Sequence, residues 1–261
     1  MLNDVSRPEP TSAPPAGEAP AVRQRDDREA WAGPMARLQT ADGMAPLDTV
    51  RGRRVVGALQ GFGKLWQKMY RVTLADAGVD ARTVVATWKA HFSELWPHGN
   101  SFYPPLTGIA PGEVALLQVG LVGGLRLSTG VAVIYVDEES FTFMTPEGHM
   151  FAGWITFSAE DGSDGTTAQV QVLMRAQHPL SELGLALGGH RQEDRFWQAT
   201  LTSLAARFGI SEPAVETIVV CIDGRRQWRR ATNLRYDATI RSALFAAAAP
   251  IRWARNAARG R

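Results

Sequence analysis

Cysteine is almost absent from this sequence. Its 261 residues include only Cys221, so no disulfide can form within the chain and no zinc site can be built from paired cysteines. Long apolar runs are also missing, since no stretch approaches the roughly 18 consecutive apolar residues that a membrane-spanning helix needs. The first ten residues, MLNDVSRPEP, carry an acid and a proline where a signal peptide would have an apolar run. We therefore expect a cytoplasmic protein with no transmembrane segment.

Motifs that hold metals, phosphates or cofactors are missing as well. The glycines at 120, 123 and 124 precede neither a lysine nor a helical pattern, so they do not form a phosphate loop. No segment matches H-E-x-x-H, and the five histidines are widely spaced. The sequence therefore predicts neither a metal site nor a cofactor.

Lysine is rare, and the basic charge is unevenly distributed. Three of the 28 basic residues are lysines, and residues 211–261 contain ten arginines against four acids. This stretch includes RRQWRR and could contact anionic lipid or nucleic acid. Asp223 and Asp237 interrupt the run, and arginine and alanine enrichment often reflects genome composition. Nucleic acid is therefore not an expected partner, and the contact is kept as an alternative.

The overall composition is that of a globular protein, because 45% of the residues are hydrophobic and 21% are charged. Residues 1–50 are rich in proline and alanine and predict a disordered tail. Residues 55–210 hold most of the aromatic and periodic segments and predict one folded domain. Residues 211–261 predict an arginine- and alanine-rich extension made of a strand and a helix.

Two elements begin the predicted domain. Residues 65–75 alternate as a strand, with Trp66 and Tyr70 on its apolar face. Residues 80–96 have apolar residues at helical spacing, with Asp80 as the N-cap and Pro97 as the stop.

Residues 112–177 change to a period of two and predict five consecutive antiparallel strands. Gly123-Gly124 marks one hairpin turn. The alternation is clearest near the end of this region, where one face should be buried and the other wet. The buried set is Val170, Val172 and Met174, and the wet set is Gln169, Gln171 and Arg175.

A long helix over residues 179–208 follows, with glycines at 184, 188 and 189 that should make it irregular. Its second half has an apolar stripe that includes Trp197 and Leu201, and Gly209 stands at the position of a C-terminal cap. Because the apolar face of the sheet must be covered, the helix is expected to pack on it. The sequence predicts an α+β fold in which a curved antiparallel sheet wraps around a long C-terminal helix.

Three segments carry a resemblance to a known superfamily: WQKMYRVTLADAGVDARTVVATWKAHF, STGVAVIYVDEESFTFMTPEGHMFAGWITFSAE and HRQEDRFWQATLTSLAARFG. In this order they resemble the START-like (SRPBCC) superfamily with its helix-grip fold, and the last two are similar to an uncharacterised bacterial branch of it. The resemblance implies a cavity between sheet and helix that binds an apolar small molecule. Some relatives are aromatase/cyclases or steroid and polyketide binders, but no catalytic motif of theirs is found here.

The candidate ligand-binding residues are aromatic, because aromatic side chains commonly line pockets for flat apolar molecules. We expect binding of a lipid-, polyketide- or aromatic-like molecule without catalysis. The residues expected to line the cavity are Trp66, Tyr70, Trp88, Tyr135, Phe141, Phe143, Trp154 and Trp197.

An enzyme of the same fold is the alternative. In MTPEGHMFAGW, Glu147 and His149 could serve as acid and base in a polyketide cyclase or dehydratase reaction. The competing interpretation, which we favour, is a solvated hairpin turn with an exposed His149. Arg191, Glu193 and Asp194, beside His190 on the long helix, could form a second polar set, but we interpret them as the solvent-facing side of that helix.

Overall fold

The computed structural model describes residues 27–40, 50–75, 77–120 and 126–237. Within these ranges, eight strands form one antiparallel sheet in the order β2-β3-β4-β5-β6-β7-β1-β8. The strands are β1 (Leu65–Leu74), β2 (Ser101–Tyr103), β3 (Val114–Gly120), β4 (Arg126–Val136), β5 (Ser140–Met144), β6 (Phe151–Gly162), β7 (Gly165–Ala176) and β8 (Val215–Asp223). The five predicted consecutive strands are β3 to β7. The hairpin turn at Gly123-Gly124 lies outside the described residues.

Two longer helices flank this sheet. Helix α1 spans Ala81–His91, and the Thr83 N–H donates to Asp80 Oδ1 at 2.8 Å, as the predicted N-cap requires. The long C-terminal helix is divided into α2 (Pro179–Gly184), a π-helical turn (Leu185–Gly189) and α3 (His190–Arg207). The predicted irregularity therefore lies at the glycines.

Both helices pack on the same face of the sheet, which we call the inner face. Helix α1 packs against β6 and α3 packs against β1. Trp88 of α1 and Leu201 of α3 are fully buried in one core cluster with Phe141 and Phe157 of the sheet. The helix-grip fold expected from the sequence is confirmed by this order of elements. None of the helices in the described ranges is long and apolar enough to cross a bilayer.

The alternation in β7 is confirmed except at one residue. Val170, Val172 and Met174 are buried on the inner face. Arg175, expected on the wet face, is only 3% exposed, so that expectation was wrong. Its guanidinium donates to Gly63 O at 2.6 Å and pairs with Asp223 Oδ2 at 2.6 Å, because the chain segments beside β7 enclose it.

The opposite, outer face is covered in part by the N-terminal segment. Leu38 and Val50 are 1% and 0% exposed, and they pack against Val114, Leu116 and Ala132 of β3 and β4. The expected disordered tail over residues 1–50 therefore does not extend over residues 27–40, where apolar side chains find a partner surface. Residues 1–26 and 41–49 lie outside the described residues.

The chain after α3 returns to the sheet. Strand β8 pairs antiparallel with β1, and Trp228–Tyr236 forms a 3-10 helix. The predicted strand of the C-terminal extension is thus an edge strand of the same sheet. Most of the predicted helix over residues 233–259 lies outside the described residues, and the division into three regions stays a prediction.

Candidate ligand-binding site

A buried lysine lies between β1 and α3. Lys68 is fully buried, and its Nζ lies 2.8 Å from Asp194 Oδ1 and 2.9 Å from Glu193 Oε2. Burying a lysine is costly unless its charge is matched. The two carboxylates of α3 supply that charge, so Glu193 and Asp194 do not form the solvent-facing side expected from the sequence.

Tyr70 joins the same group of side chains. Its hydroxyl donates a hydrogen bond to Asp194 Oδ1 at 2.7 Å, and the side chain is fully buried. Burial and the nearby charge of Glu193 raise the pKa of Tyr70 far above its ordinary value. The phenol therefore remains protonated and acts as a donor.

The two carboxylates differ in environment. Burial raises the pKa of Glu193 although Lys68 opposes the shift. Glu193 Oε2 pairs with Lys68 without the geometry of a hydrogen bond, so this buried atom has no hydrogen-bond partner in the described ranges. The Asp194 side chain is 25% exposed to solvent. The group therefore reaches solvent at Asp194.

His190 begins α3 directly after the π-helical turn. Its ring lies 4.8 Å from the ring of Trp66, and its buried Nδ1 has no hydrogen-bond partner among the described residues. Burial, with Lys68 nearby, lowers the pKa of His190 to about 4, so the ring is neutral near pH 7. Lys68, Tyr70, His190, Glu193 and Asp194 together are called the Lys68 cluster below.

The turn beside the Lys68 cluster is itself unusual. Gly188 lies inside this turn in a non-helical backbone conformation, so the long helix is kinked there. Gly188 has a φ of 125°, which favours glycine, and Leu187 next to it is 75% exposed. The backbone at the edge of the cluster thus departs from regular helix.

Sequence reasoning missed the Lys68 cluster, although one signal was present. In β1, Lys68 lies two residues from both Trp66 and Tyr70, so a period of two places it on the apolar face. A charged residue at a core-facing position requires a partner. The identity of that partner, Asp194, could not be found from local sequence.

Five of the eight predicted aromatic residues meet in the core. Tyr70, Trp88, Phe141 and Phe143 are buried in the core cluster, and Trp197 packs against it. Ring centroids of Phe141 and Phe143 are 5.5 Å apart, and those of Trp88 and Phe141 are 6.1 Å apart. These side chains pack on one another, and the buried indole Nε1 of Trp88 finds no hydrogen-bond partner in the part of the chain that the structure describes.

The other three predicted residues lie apart. Trp66 stands at the edge of the Lys68 cluster. Tyr135 contacts the ring of Trp31 at 4.7 Å. Trp154 is 37% exposed on the outer face. The set as a whole stays a prediction.

Glu147 and His149 do not converge. Glu147 accepts a hydrogen bond from Arg54 at 2.9 Å, whereas His149 Nδ1 accepts one from the Phe151 N–H at 3.0 Å. His149 is only 8% exposed, so the expectation of an exposed turn histidine was wrong. Burial lowers its pKa to about 4, because the charged ring would lose its hydration.

A second buried histidine has serine and aspartate partners. His178 Nε2 lies 3.0 Å from Ser181 Oγ and also contacts Asp237 Oδ2. A serine–histidine–aspartate relay needs these partners on opposite ring nitrogens. Here both partners share one nitrogen, and Nδ1 accepts the Ser181 N–H at the start of α2. The arrangement therefore caps α2 and differs from the geometry of such a relay.

No metal site appears within the described residues, since no group of three or more His, Cys, Asp or Glu side chains there could hold an ion. A family model described as "Domain of unknown function (DUF1990)" matches residues 68–201. The matched range includes both Lys68 and Asp194. A search of the curated proteins found no match.

Solved structures similar to this chain include three with low sequence identity. The di-domain ARO/CYC protein StfQ from the steffimycin biosynthetic pathway is 10% identical with a TM-score of 0.43, and the match covers 56% of this chain and 53%, about half, of StfQ. Protein Ms6760 from Mycobacterium smegmatis is 12% identical with a TM-score of 0.40, covering 60% and 96%. Ara h 8.0201 is 13% identical with a TM-score of 0.39, covering 55% and 97%. The fold assignment rests on the topology of the sheet and helices described above.

Proposed function

The chain belongs to the DUF1990 family, described as a domain of unknown function, and from this premise we propose that it binds a small, mainly apolar molecule between the sheet and α3, without catalysis. The observation that carries the proposal is the Lys68 cluster. A buried ion pair on the inner face contributes little to stability compared with an apolar core. Its presence there supports a role in recognising a polar group of a ligand.

The chemistry of the cluster indicates which polar group fits. Lys68 is balanced by Glu193 and Asp194, so a further anion would meet carboxylates. Within the described residues, Nδ1 of the neutral His190 ring has no hydrogen-bond partner. A hydroxyl or carbonyl group on the ligand would satisfy that atom. The ligand class we propose is therefore a neutral lipid-, polyketide- or aromatic-like molecule.

The apolar part of the ligand would contact the aromatic side chains beside the cluster. Trp66 lies at its edge and is half-buried, and the π-helical turn adjoins it. The alternative enzyme reaction through Glu147 and His149 is not favoured, because each of these side chains is bonded to a different partner.

A neutral fluorescent probe tests the proposal. N-phenyl-1-naphthylamine is apolar, uncharged and brighter when it leaves water. We expect it to bind the full chain saturably, and we expect Trp66→Ala to weaken its binding at least fivefold. The control Trp228→Ala removes a tryptophan that is 73% exposed and should change the Kd less than twofold.

Native mass spectrometry of the purified chain provides a second readout, since a co-purifying neutral molecule would identify the ligand. Trp66→Leu serves if Trp66→Ala fails to fold. Absence of saturable probe binding, or equal weakening by the Trp66 and Trp228 variants, would overturn the proposal.

A further inference from the structure

Four arginines line one cleft at the surface, and none of the residues of the Lys68 cluster belongs to its lining. The cleft has a volume of about 380 Å³. Its lining residues are Arg37, Arg51, Gly52, Arg53, Arg54, Glu147 and Tyr236. We call it the arginine cleft.

The backbone that carries these arginines is held in place. The Leu38 N–H donates to Arg53 O at 2.8 Å, and the Gly52 N–H donates to Leu38 O at 2.9 Å. Gly52 has a φ of 74°, which allows the tight turn between them. Leu38 and Val50 are buried against the outer face of the sheet. The arginine cleft is therefore built on a packed and hydrogen-bonded support.

Positive charge exceeds negative charge among the lining residues. Glu147 is the carboxylate in the lining, and Arg54 pairs with it at 2.9 Å. Arg37 donates to the carbonyl of Gly52 at 2.8 Å, and this neutral acceptor does not balance its charge. Within the described residues, neither Arg37 nor Arg53 has a carboxylate at ion-pair distance. Two guanidinium groups at one cleft therefore lack a counter-charge from the part of the chain that the structure describes.

The aromatic ring of Tyr236 orients one of the arginines that line the cleft, Arg53. The guanidinium carbon of Arg53 lies 5.4 Å from the centre of the Tyr236 ring, and that of Arg235 lies 4.6 Å from the same ring. Stacking on an aromatic ring restricts the arginine while its N–H groups stay available as donors. The 3-10 helix after β8 thus contributes to the cleft through Tyr236.

We propose that the arginine cleft binds a phosphate-bearing small molecule. Arginine presents its donors in a planar fork that matches two phosphate oxygens. A volume of about 380 Å³ is within the size of clefts that hold small ligands, roughly 300–1,000 Å³. The phosphate belongs to a free phosphate ester or to a phospholipid headgroup, and both present the same charge and geometry to Arg37 and Arg53.

Calorimetric titration of the full chain with inorganic pyrophosphate tests the site. We expect saturable binding at low salt that weakens as salt is added. Arg37→Gln and Arg53→Gln should each weaken binding at least tenfold. The control Arg191→Gln removes one exposed positive charge from α3 and should change the Kd less than twofold. Melting temperatures establish that each variant is folded, and Arg37→Gln retains the stacking of Arg53 on Tyr236.

Vesicles distinguish the two sources of phosphate. Neutral phosphatidylcholine vesicles with and without a phosphoinositide are incubated with the chain and sedimented. Binding to the phosphoinositide vesicles that pyrophosphate displaces supports a headgroup in the cleft, and pyrophosphate binding without vesicle binding supports a free phosphate ester. No saturable pyrophosphate binding, or equal weakening by Arg191→Gln, would overturn the proposal.

Discussion

Lys68 on β1 and Asp194 on α3 are 126 positions apart in the sequence, and their side chains meet at 2.8 Å between the sheet and the helix. Tyr70, two residues along the same strand, donates to the same oxygen of Asp194. Two contacts from one strand to one carboxylate fix how α3 is rotated on the sheet. The Lys68 cluster therefore positions the helix as well as defining the candidate site.

Removing the lysine should destabilise the fold. Lys68→Met leaves the buried carboxylate of Glu193 without its partner charge and removes one contact to the partly exposed Asp194. We expect the free energy of unfolding to fall by about 3–5 kcal/mol. Urea denaturation measures it. The control Lys64→Met changes a lysine that has no ion pair in the described residues and should cost less than about 1 kcal/mol. A small effect of Lys68→Met would contradict this expectation, because it would show that water hydrates the two carboxylates in the variant.

The buried His149 should make stability depend on pH. Its pKa is lowered to about 4 in the folded chain, against about 6.5 when unfolded. As pH falls from about 6.5 to about 4, the unfolded chain gains this proton and the folded chain does not. Stability should therefore decrease over that window, by on the order of 2–3 kcal/mol from this residue.

The predicted pH dependence is tested by urea denaturation of the His149→Asn variant at several pH values. An asparagine oxygen can accept the Phe151 N–H as Nδ1 does, while the titrating ring is removed. The variant should lose part of the pH dependence. The control His98→Asn removes an exposed imidazole. In this variant the free energy of unfolding should depend on pH as it does in the unmodified chain. An unchanged slope in His149→Asn would contradict the expectation.

The aromatic contact between α3 and β6 should contribute strongly to stability. The Trp197 ring lies 5.5 Å from the ring of Phe157 and packs against the core cluster. We expect Trp197→Ala to cost roughly 3–5 kcal/mol, measured by urea denaturation. Trp228→Ala, at a site that is 73% exposed, should cost less than about 1 kcal/mol. Equal losses of unfolding free energy in the two variants would mean that Trp197 does not stabilise the packing of α3 on the sheet.

The N-terminal segment on the outer face should be structural. Leu38 is 1% exposed, so Leu38→Ala should lower the free energy of unfolding by about 2–4 kcal/mol. Its neighbour Gln39 is exposed, and Gln39→Ala should have almost no effect. Thermal unfolding of both variants compares them directly. A near-neutral Leu38→Ala would indicate that the segment can leave the sheet without cost.

Local sequence was sufficient to predict most of the helices and strands. The N-cap at Asp80 needs a carboxylate three residues before the N–H that it accepts, and the structure places that bond as expected. Val170, Val172 and Met174 face the core because a strand alternates every second residue. The glycines of the long helix produced its π-helical turn. Each of these features depends on residues within a few positions of one another.

Local sequence could predict only part of the candidate site. Lys68 could be placed on the apolar face of β1 by its spacing, but its partners lie on a helix far along the chain. The burial of His149 and of Leu38 likewise depends on segments distant in sequence that pack over them. Glu147 was selected as a partner of His149 by proximity, yet the fold brings Arg54 to it instead.

The sequence by itself determined where strands and helices form and which faces are apolar, because those properties follow from short-range spacing and backbone preference. Only the tertiary structure decided which charges meet. Ion pairs, burial and pKa shifts depend on the distance and solvent exposure of groups that the folded chain brings together across long sequence separations. The Lys68–Asp194 pair and the arginine cleft both arise in that way.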